Sequence, residues 1–474
     1  MFDFFRSEKY VFYHIPKTGG TTFTAWIDQS FNVDQICPRS FFQPSALLLD
    51  RLSGEQKKEI QKYSFVRDHF FFDVAAELKG RVKTWTFLRD PAERVISQFH
   101  YYRNYSDEDL ELNVRRGSMS EERASAMREL RNISLSQFLQ QGAGVFEREF
   151  CNTQATMLAA TFKREKQKLQ PEKVFENALA HLQGMEFFGL LELFELSVQL
   201  FCFTFGWRYP STVQPLNQLD YPDRPDLMSD ESQALLDSWI DADKKLYIQA
   251  QKEFMSRYRS MVAALFQTSG YDQKTIEAAV RNPFAQQYQR VIVEALRRNE
   301  PAQTTELLKK HPHLNQKNGN ASVHVSMEKA IVGDGWLERE GYADQKTLCR
   351  WSGPGTESDL NVCLVKKQSC LLSFVVLEVL HEQILKELRV FVNQIELVLK
   401  RESLGVRSGR VQAVIPASAI DDDGLLRIRF QVPFTVSHHQ FCKAADKRKK
   451  GIRISELSIV PVNSGDMSLL VDVK

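Results

Sequence analysis

Apolar residues in the first third of the chain fall in short blocks, each followed by a loop of glycine, proline or charge. Tyr10-Val11-Phe12-Tyr13 is β-prone and ends at Pro16, and a helix-compatible run follows from Phe23 to Phe31. Ser45 to Tyr63 mixes leucines with charges and predicts a helix. Ser64 to Arg67 predicts a second short strand, which leads into His69, three phenylalanines and a helical run from Val74 to Lys79. Thr84-Trp85-Thr86-Phe87-Leu88 predicts a buried third strand. Behind it Asp90 suits an N-cap, Pro91 the first helical position, and Val95, Ile96 and Phe99 an apolar helix face. Phe187 to Glu192 reads as a further strand with a helix to Phe205, and Asp230 to Leu265 as one long helix. Strands alternating with helices predict an α/β fold, a parallel sheet with helices on both faces.

The texture then changes. Residues 266–320 keep helical patterns (Thr275 to Val280, Gln286 to Arg298, Ala302 to Lys310). From Ala321 onward eight short apolar runs are separated by turn signals: Val323–Val325, Leu360–Val365, Leu371–Leu377, Leu388–Val392, Leu397–Leu399, Val411–Ile415, Leu425–Val432 and Ile452–Val460. They predict an antiparallel β-sandwich or jelly roll. The expected organisation is an α/β domain over 1–265, a helical connector over 266–320 and an all-β sandwich over 321–474.

A net charge of +2 on 474 residues gives no general case for nucleic acid, so any anion site must be local. The seven cysteines form no CxxC pair or metal-like cluster, which suits buried thiols in a reducing compartment. Met1 to Arg6 lacks the apolar core of a signal peptide, and Cys370 to Leu380 is too short to span a bilayer and contains Glu378. A cytoplasmic protein without an integral membrane segment is expected. Asn104 to Asn132 is densely charged and reads as a solvated insertion, the other option being a mobile lid with substrate-facing arginines. His311-Pro312-His313 has no evident third ligand, and no metal is expected.

The chemistry sits between the first strand and its helix, in His14-Ile15-Pro16-Lys17-Thr18-Gly19-Gly20-Thr21-Thr22. Backbone N–H groups of such a loop, and the positive end of the following helix, can turn toward an anion. Gly19 and Gly20 let the backbone come close, Lys17 adds a point charge, and Thr21 and Thr22 offer hydroxyl donors. Lysine precedes the glycines here, unlike the triphosphate loop GxxxxGK[ST]. Arg89 lies at the C-terminal end of the third strand, where open α/β sheets bind ligands. Ser97, two turns into the next helix, can face the same edge.

The first string resembles the 5′-phosphosulfate loop of sulfotransferases, in the branch of the heparan sulfate 2-O-sulfotransferases and their bacterial relatives. Arg89-Asp90-Pro91-Ala92-Glu93-Arg94, with Ser97 eight residues after Arg89, resembles that family's 3′-phosphate motif. Its base is a histidine between the two motifs in a Gly-His-x-x-Phe-like context, which His69 matches with Asp68 in place of the glycine. Cys151 to Leu158 resembles a segment Asn-x-Gln-x-x-Met-Leu near the acceptor side. Gly189 to Glu192, Trp207 and Asn217 match a Gly-Leu-x-Glu strand, a tryptophan and an asparagine. The resemblance covers approximately Tyr10 to Leu265.

It implies a P-loop-like fold that moves a sulfuryl group from 3′-phosphoadenosine 5′-phosphosulfate (PAPS) to a carbohydrate hydroxyl, releasing adenosine 3′,5′-bisphosphate (PAP). Lys17, Thr18, Gly19, Gly20, Thr21 and Thr22 would hold the 5′ end of the donor, and Arg89 and Ser97 its 3′-phosphate. His69 and Lys17 would be catalytic. Golgi members in animals carry a membrane anchor, so this chain's composition implies a bacterial setting. Gly335-Trp336, Arg350 to Pro354 and Gly451 to Ser455 resemble β-sandwich modules attached to bacterial glycan-modifying enzymes. Trp336 and Trp351 would there stack on sugar or, alternatively, form core. Two other functions remain open at this point: a nucleotide-dependent kinase, which needs a Mg²⁺-binding acid and the other loop pattern, and a non-catalytic glycan-binding or assembly protein.

Overall fold

The computed structural model describes residues 8–42, 51–71, 73–162, 170–210, 228–298, 300–316, 322–341, 347–365, 367–442 and 446–462. Of the expectations above, Ser45 to Asp50, Phe72, Asn217 and the side chains of Thr21 and Thr22 lie outside the described residues. The chain forms two units. Described residues within Met1–Gly20, Asp34–Trp207 and Gln218–Ala295 make the first, and those within Thr21–Val33, Arg208–Asn217 and Leu296–Lys474 the second.

The first unit is built on β1 (Lys9–Tyr13), after which α1 (Gly20–Asp28) begins. Then come α2 (Gly54–Glu59), β2 (Phe65–Asp68), β3 (Val82–Leu88) and α3 (Pro91–Arg103). All strand pairs are parallel, in the order β2-β1-β3-β4, with β4 at Phe187–Leu190. Tyr13 stands opposite Asp68 on one side and Thr86 on the other. Val11, Phe12, Trp85, Phe87 and Leu88 are wholly buried, as continuous apolar strands of a covered parallel sheet require. From β1 the chain moves to β2 on one side, then crosses to β3 on the other. The strand order therefore reverses between β1 and β3, and a crevice opens there at their C-terminal ends.

Three expectations are corrected in this unit. Val74 to Lys79 is no helix but a single 3₁₀ turn, Ala75–Glu77, since so short a run cannot nucleate more. The expected long helix is two, α11 (Asp230–Trp239) and α12 (Asp241–Thr268), broken where the Trp239 carbonyl accepts from the Asn152 N–H at 2.8 Å. The charged segment is also more than a solvated insertion. It folds as α4 (Asp107–Arg115) and α5 (Glu121–Leu130), whose Leu110, Ala124, Met127 and Leu130 share a core with Phe99, Phe138 and Phe150. Between these and α11 lie α6 (Leu135–Gln141), α7 (Glu147–Phe150), α8 (Thr153–Phe162), α9 (Pro171–Gly184) and α10 (Phe194–Phe205).

The second unit contains antiparallel sheets. One has the order β11-β10-β14-β8, from Ile395–Glu396, Arg389–Val392, Leu425–Gln431 and Glu357–Cys363. The other runs β12-β13-β9-β15-β7-β6, from Lys400–Gly405, Ser408–Ile415, Cys370–Val379, Ile452–Pro461, Leu348–Trp351 and Glu340–Gly341, and β5 (Val323–Ser326) also pairs with β15. Val362, Ile428 and Phe430 of one sheet and Leu372, Phe374, Val411 and Ile454 of the other enter one core, so the two pack as a sandwich. Seven of the eight expected runs are strands, and Leu397–Leu399 is a connection between two short ones. The unexpected β12 is exposed at every position, which is why no apolar pattern announced it. Trp336 and Trp351 are buried, and the Trp336 indole N–H donates to the Asp359 carbonyl at 2.8 Å. Both are core residues, which removes them as sugar-stacking platforms.

The seven cysteines are free thiols, and five of them are buried. Among the described residues no helix is long and apolar enough to cross a membrane.

Candidate active site

The loop after β1 is fixed from within. Lys17 sits at φ 68°, a left-handed conformation that a non-glycine residue adopts only where its surroundings over-determine it. Its carbonyl accepts from Arg89 Nη1 at 3.4 Å, and its ammonium lies 4.3 Å from the centre of the Tyr101 ring. No carboxylate among the described residues pairs with it. Burial, and secondarily the Arg89 charge, push Lys17 down to about 8. The Thr18 hydroxyl donates to the Ile15 carbonyl at 2.9 Å, so that side chain holds the turn. Gly19 is left-handed (φ +82°), and a Cβ there would lie 2.4 Å from Leu191. At Gly20 a Cβ would lie 2.2 Å from the His14 ring. Thr21 and Thr22 belong to the first turn of α1.

Arg89 follows β3, directly across the crevice. One stripe of α3 serves both cations: Glu93, Ser97 and Tyr101 follow at four-residue intervals and share a helix face. Glu93 pairs with Arg89 Nη2 at 3.2 Å, and Tyr101 lies under Lys17. Ser97, 4% exposed, falls between them on that stripe. Lys17, Arg89 and Ser97 are thus brought to one end of the sheet.

The backbone at Arg89 is held by residues distant in sequence. The Gln154 amide accepts from the Arg89 N–H at 3.0 Å and donates to the Arg89 carbonyl at 2.8 Å. The N–H groups of Gln154 and Ala155 in turn donate to the buried Asp243 carboxylate at 3.3 and 2.7 Å, and the Asp243 N–H donates to Asn152 Oδ1 at 3.1 Å. Burial pushes Asp243 up, against the pull of the buried Arg94 guanidinium and those two N–H bonds. The Asp90 N–H donates to Glu192 Oε1 at 2.8 Å, and Glu192 Oε2 accepts from the Tyr247 hydroxyl. Asn152 and Gln154, in the segment expected near the acceptor side, also hold the Arg89 strand end. Asp243 is the site-forming residue that the sequence reading does not single out, although a carboxylate on the apolar stripe of α12, with Leu246, Tyr247 and Ala250, is a visible signal.

His69 follows β2 and leans against the last residue before the loop. Its Nδ1 is 2.5 Å from the His14 carbonyl, and the two rings are 4.6 Å apart. A carbonyl only accepts, so Nδ1 carries the proton and Nε2 of the neutral ring keeps a lone pair. Asp68 is no mere replacement for glycine, because its carboxylate accepts from the His69 N–H at 2.8 Å. Burial lowers the His69 pKa, and Asp68 and the His14 carbonyl oppose it only in part. His14 is driven well below the usual range by burial and then by His69. Both rings are neutral at pH 7. Of the other histidines near the motifs, His14 is wedged under Gly20 and His100 is buried on α3 against Phe99. Two residues beyond His69, Phe71 lines a cavity of about 290 Å³ with Arg123, Glu147, Arg148 and Glu149 among its other walls. The Arg148 guanidinium lies 5.0 Å from the Phe71 ring centre.

This arrangement can bind a doubly phosphorylated anion across β1 and β3 and take a proton beside it. Residues 1–199 match the model of the sulfotransferase family, a span that includes Lys17, His69, Arg89, Ser97, Gln154 and Glu192. A protein-tyrosine sulfotransferase from Arabidopsis thaliana is 30% identical over 92 residues, which is 19% of this chain and 16% of that protein. A solved family GH115 4-O-methyl-alpha-glucuronidase with specificity for decorated arabinogalactans aligns over 88% of this chain and 61% of its own. Its 11% identity and TM-score of 0.20 carry no argument about fold or activity.

Proposed function

We propose that the protein is a sulfotransferase that moves the sulfuryl group of PAPS to a hydroxyl of a carbohydrate acceptor. The observation that carries the reading is the convergence of Lys17, which pairs with no carboxylate among the described residues, and of Arg89 at the strand-order reversal, Arg89 Nη1 bonding the Lys17 carbonyl, within the stretch that matches the sulfotransferase family. In the transfer the acceptor oxygen attacks sulfur as the bond from sulfur to the bridging phosphate oxygen breaks. PAP leaves with that electron pair, and the acceptor proton passes to His69 Nε2. By analogy with phosphoryl transfer the transition state is loose, so positioning and charge stabilisation are the main tasks. Lys17 and the N–H groups of residues 18–22 meet the charge that grows on the leaving phosphate. Arg89 and Ser97 hold the 3′-phosphate, whose charge does not change. A neutral imidazole with Nδ1 already committed suits the base.

In this reading catalysis belongs to residues 1–265, with 266–320 as connector and 321–474 as a sandwich, in a cytoplasmic protein with free thiols. The carbohydrate class rests on the family branch resembled and on the cavity beside Phe71, whose charged walls suit a polyhydroxylated ligand. Calorimetry with PAP, and separately with ATP and Mg²⁺, is the first test. Binding of PAP supports the reading. Preference for ATP–Mg²⁺ would point to a kinase, and silence with both to a non-catalytic assembly protein. Transfer of labelled sulfate from PAPS to a glycan panel and to tyrosine peptides then decides the acceptor, and label on the peptides alone would overturn the carbohydrate assignment.

A further inference from the structure

Arg89 and Arg94 belong to one short segment, Arg89-Asp90-Pro91-Ala92-Glu93-Arg94, yet they end in different places. Arg89 lies at the crevice, whereas Arg94 of α3 is wholly buried, and Asp243 of α12 is 1% exposed. Burial lowers the Arg94 pKa and Asp243 is the first charge to oppose it; burial raises the Asp243 pKa and Arg94 is the first charge to oppose that. Buried charges are tolerated when they are hydrogen-bonded and matched by an opposite charge. Both hold one turn, residues 149–155, between α7 and α8. At its start Arg94 Nη2 donates to the carbonyls of Glu149 at 2.9 Å and Phe150 at 3.4 Å. At its end the Asp243 carboxylate accepts from the Gln154 and Ala155 N–H groups, where the positive end of α8 favours an anion. Between them Asn152 is left-handed at φ 45°. Its N–H donates to the Trp239 carbonyl at 2.8 Å, and its Oδ1 accepts from the Asp243 N–H at 3.1 Å. The turn delivers Gln154, whose amide closes on both the N–H and the carbonyl of Arg89. Every member of this chain of contacts lies in the first unit.

We propose that Arg94 and Asp243 are positioning residues for the 3′-phosphate subsite: together they set the 149–155 turn, and through Gln154 the backbone from which Arg89 reaches the phosphate. The inference rests on the donor-binding reading of Arg89. A guanidinium clamps a phosphate through two parallel bonds only when it arrives at the right angle, so what fixes its backbone also fixes its selectivity. A carboxylate suits the start of α8 better than an amide would, because it accepts two N–H groups and brings a full negative charge. Arg94 keeps that carboxylate charged where water does not reach. The two arginines of the segment thus divide the work, Arg89 meeting the anion and Arg94 the wall behind it. Damage to the turn should be felt chiefly by the 3′-phosphate, since the 5′ end of the donor is met by Lys17 and its loop.

Calorimetry on the full-length protein with PAP and, in parallel, with AMP, which lacks the 3′-phosphate, gives the test. The variants are Asp243→Asn, Asn152→Gly, Gln154→Ala and the double variant of Asp243→Asn with Gln154→Ala, each checked for folding by thermal unfolding. Asp243→Asn is expected to weaken PAP by up to about tenfold and AMP by less than about twofold. Because Asp243 acts through Gln154, the double variant should bind PAP no more weakly than Gln154→Ala alone. Asn152→Gly keeps the left-handed backbone and removes the bond to the Asp243 N–H, so the same PAP-selective loss should appear to a smaller extent. It carries the test should Asp243→Asn fail to fold. Equal losses for PAP and AMP, additive losses in the double variant, or unchanged PAP affinity in folded variants would overturn the inference. A wild type that ignores PAP would remove the donor reading itself, and hydrogen exchange then decides on positioning: a faster-exchanging Arg89 amide in Asp243→Asn or Asn152→Gly keeps it, and an unchanged one overturns it.

Discussion

Lys17 and Lys450 both lie over aromatic rings, and they are used in opposite ways. Lys450 of the sandwich is 1% exposed and 5.1 Å from the centre of Trp351. Asp446 pairs with it at 2.8 Å, Glu340 stands at 3.7 Å, and its ammonium donates to His438 Nδ1 at 3.2 Å. Arg448 pairs with the same two carboxylates and with Glu338, so the charge there is closed on itself. Lys17 of the α/β unit has the Tyr101 ring and no carboxylate among the described residues. A closed network stabilises the protein that contains it. A cation left open, with its pKa depressed to about 8, is available to an anion that comes and goes.

Removing each lysine system should therefore break a different property. Lys17→Ala is expected to cost on the order of 10³-fold in single-turnover rate with PAPS, because it acts on charge that grows in the transition state. Arg89→Ala should instead appear mainly as weaker PAP binding. Equal losses of affinity in both, with normal turnover of bound donor, would erase the distinction between the two cations.

His69→Ala should lower turnover on the order of 10²-fold with PAP affinity intact. In the intact enzyme the pH profile of kcat/KM should be a bell. The base must be neutral, so the rising limb lies below the ordinary histidine range, in line with the lowered His69 pKa. The lysine must be charged, so the falling limb lies near the value of about 8 set by Lys17. A profile with no falling limb up to pH 9 would contradict the charge required of Lys17, and full turnover in the variant would remove His69 from the mechanism.

Asp446→Asn tests the closed network. Burial raises the Asp446 pKa, but the bonds from Arg448 and Lys450 outweigh it and hold the carboxyl well below the usual range. Losing the charge leaves two cations underpaired, and roughly 2 kcal/mol of stability should go with it. Chemical denaturation would measure this, and a loss of PAP affinity with unchanged stability would reverse the contrast. The smallest effect is expected from Gln154→Ala, about tenfold in PAP affinity, since Arg89 keeps its charge and loses only the clamp on its backbone. An unchanged affinity would make that clamp architectural.

The two strand–loop–helix units were legible because each is local: an apolar block, a turn or cap residue, and a helical stripe within a few residues of one another. Lys17, Arg89 and Ser97 could be named for the same reason. That they meet follows from the order β2-β1-β3-β4, a pairing that no local pattern encodes. The supports of Arg89 reach 65 residues along the chain to Gln154 and beyond it to Asp243, a link that no local pattern announces. Glu93 and Tyr101 were passed over as an ordinary helical acid and aromatic. The burial of Trp336 and Trp351 is likewise a fact of sheet packing, which sequence patterning leaves open.

The ring of His14 has a consequence for how this protein can change. One face stacks on Phe12 at 5.2 Å between ring centres, His69 adjoins it, and Gly20 leaves no room for even a methyl group above it. The Gly20 turn and the His69 ring are therefore two rooms with a common partition. Neither can be enlarged alone: a side chain added at Gly20 is felt at His69, and a shift of His69 is felt in the turn of the loop. Under the function proposed above, room for a different acceptor would be found farther out, in the cavity around Phe71 and Arg148.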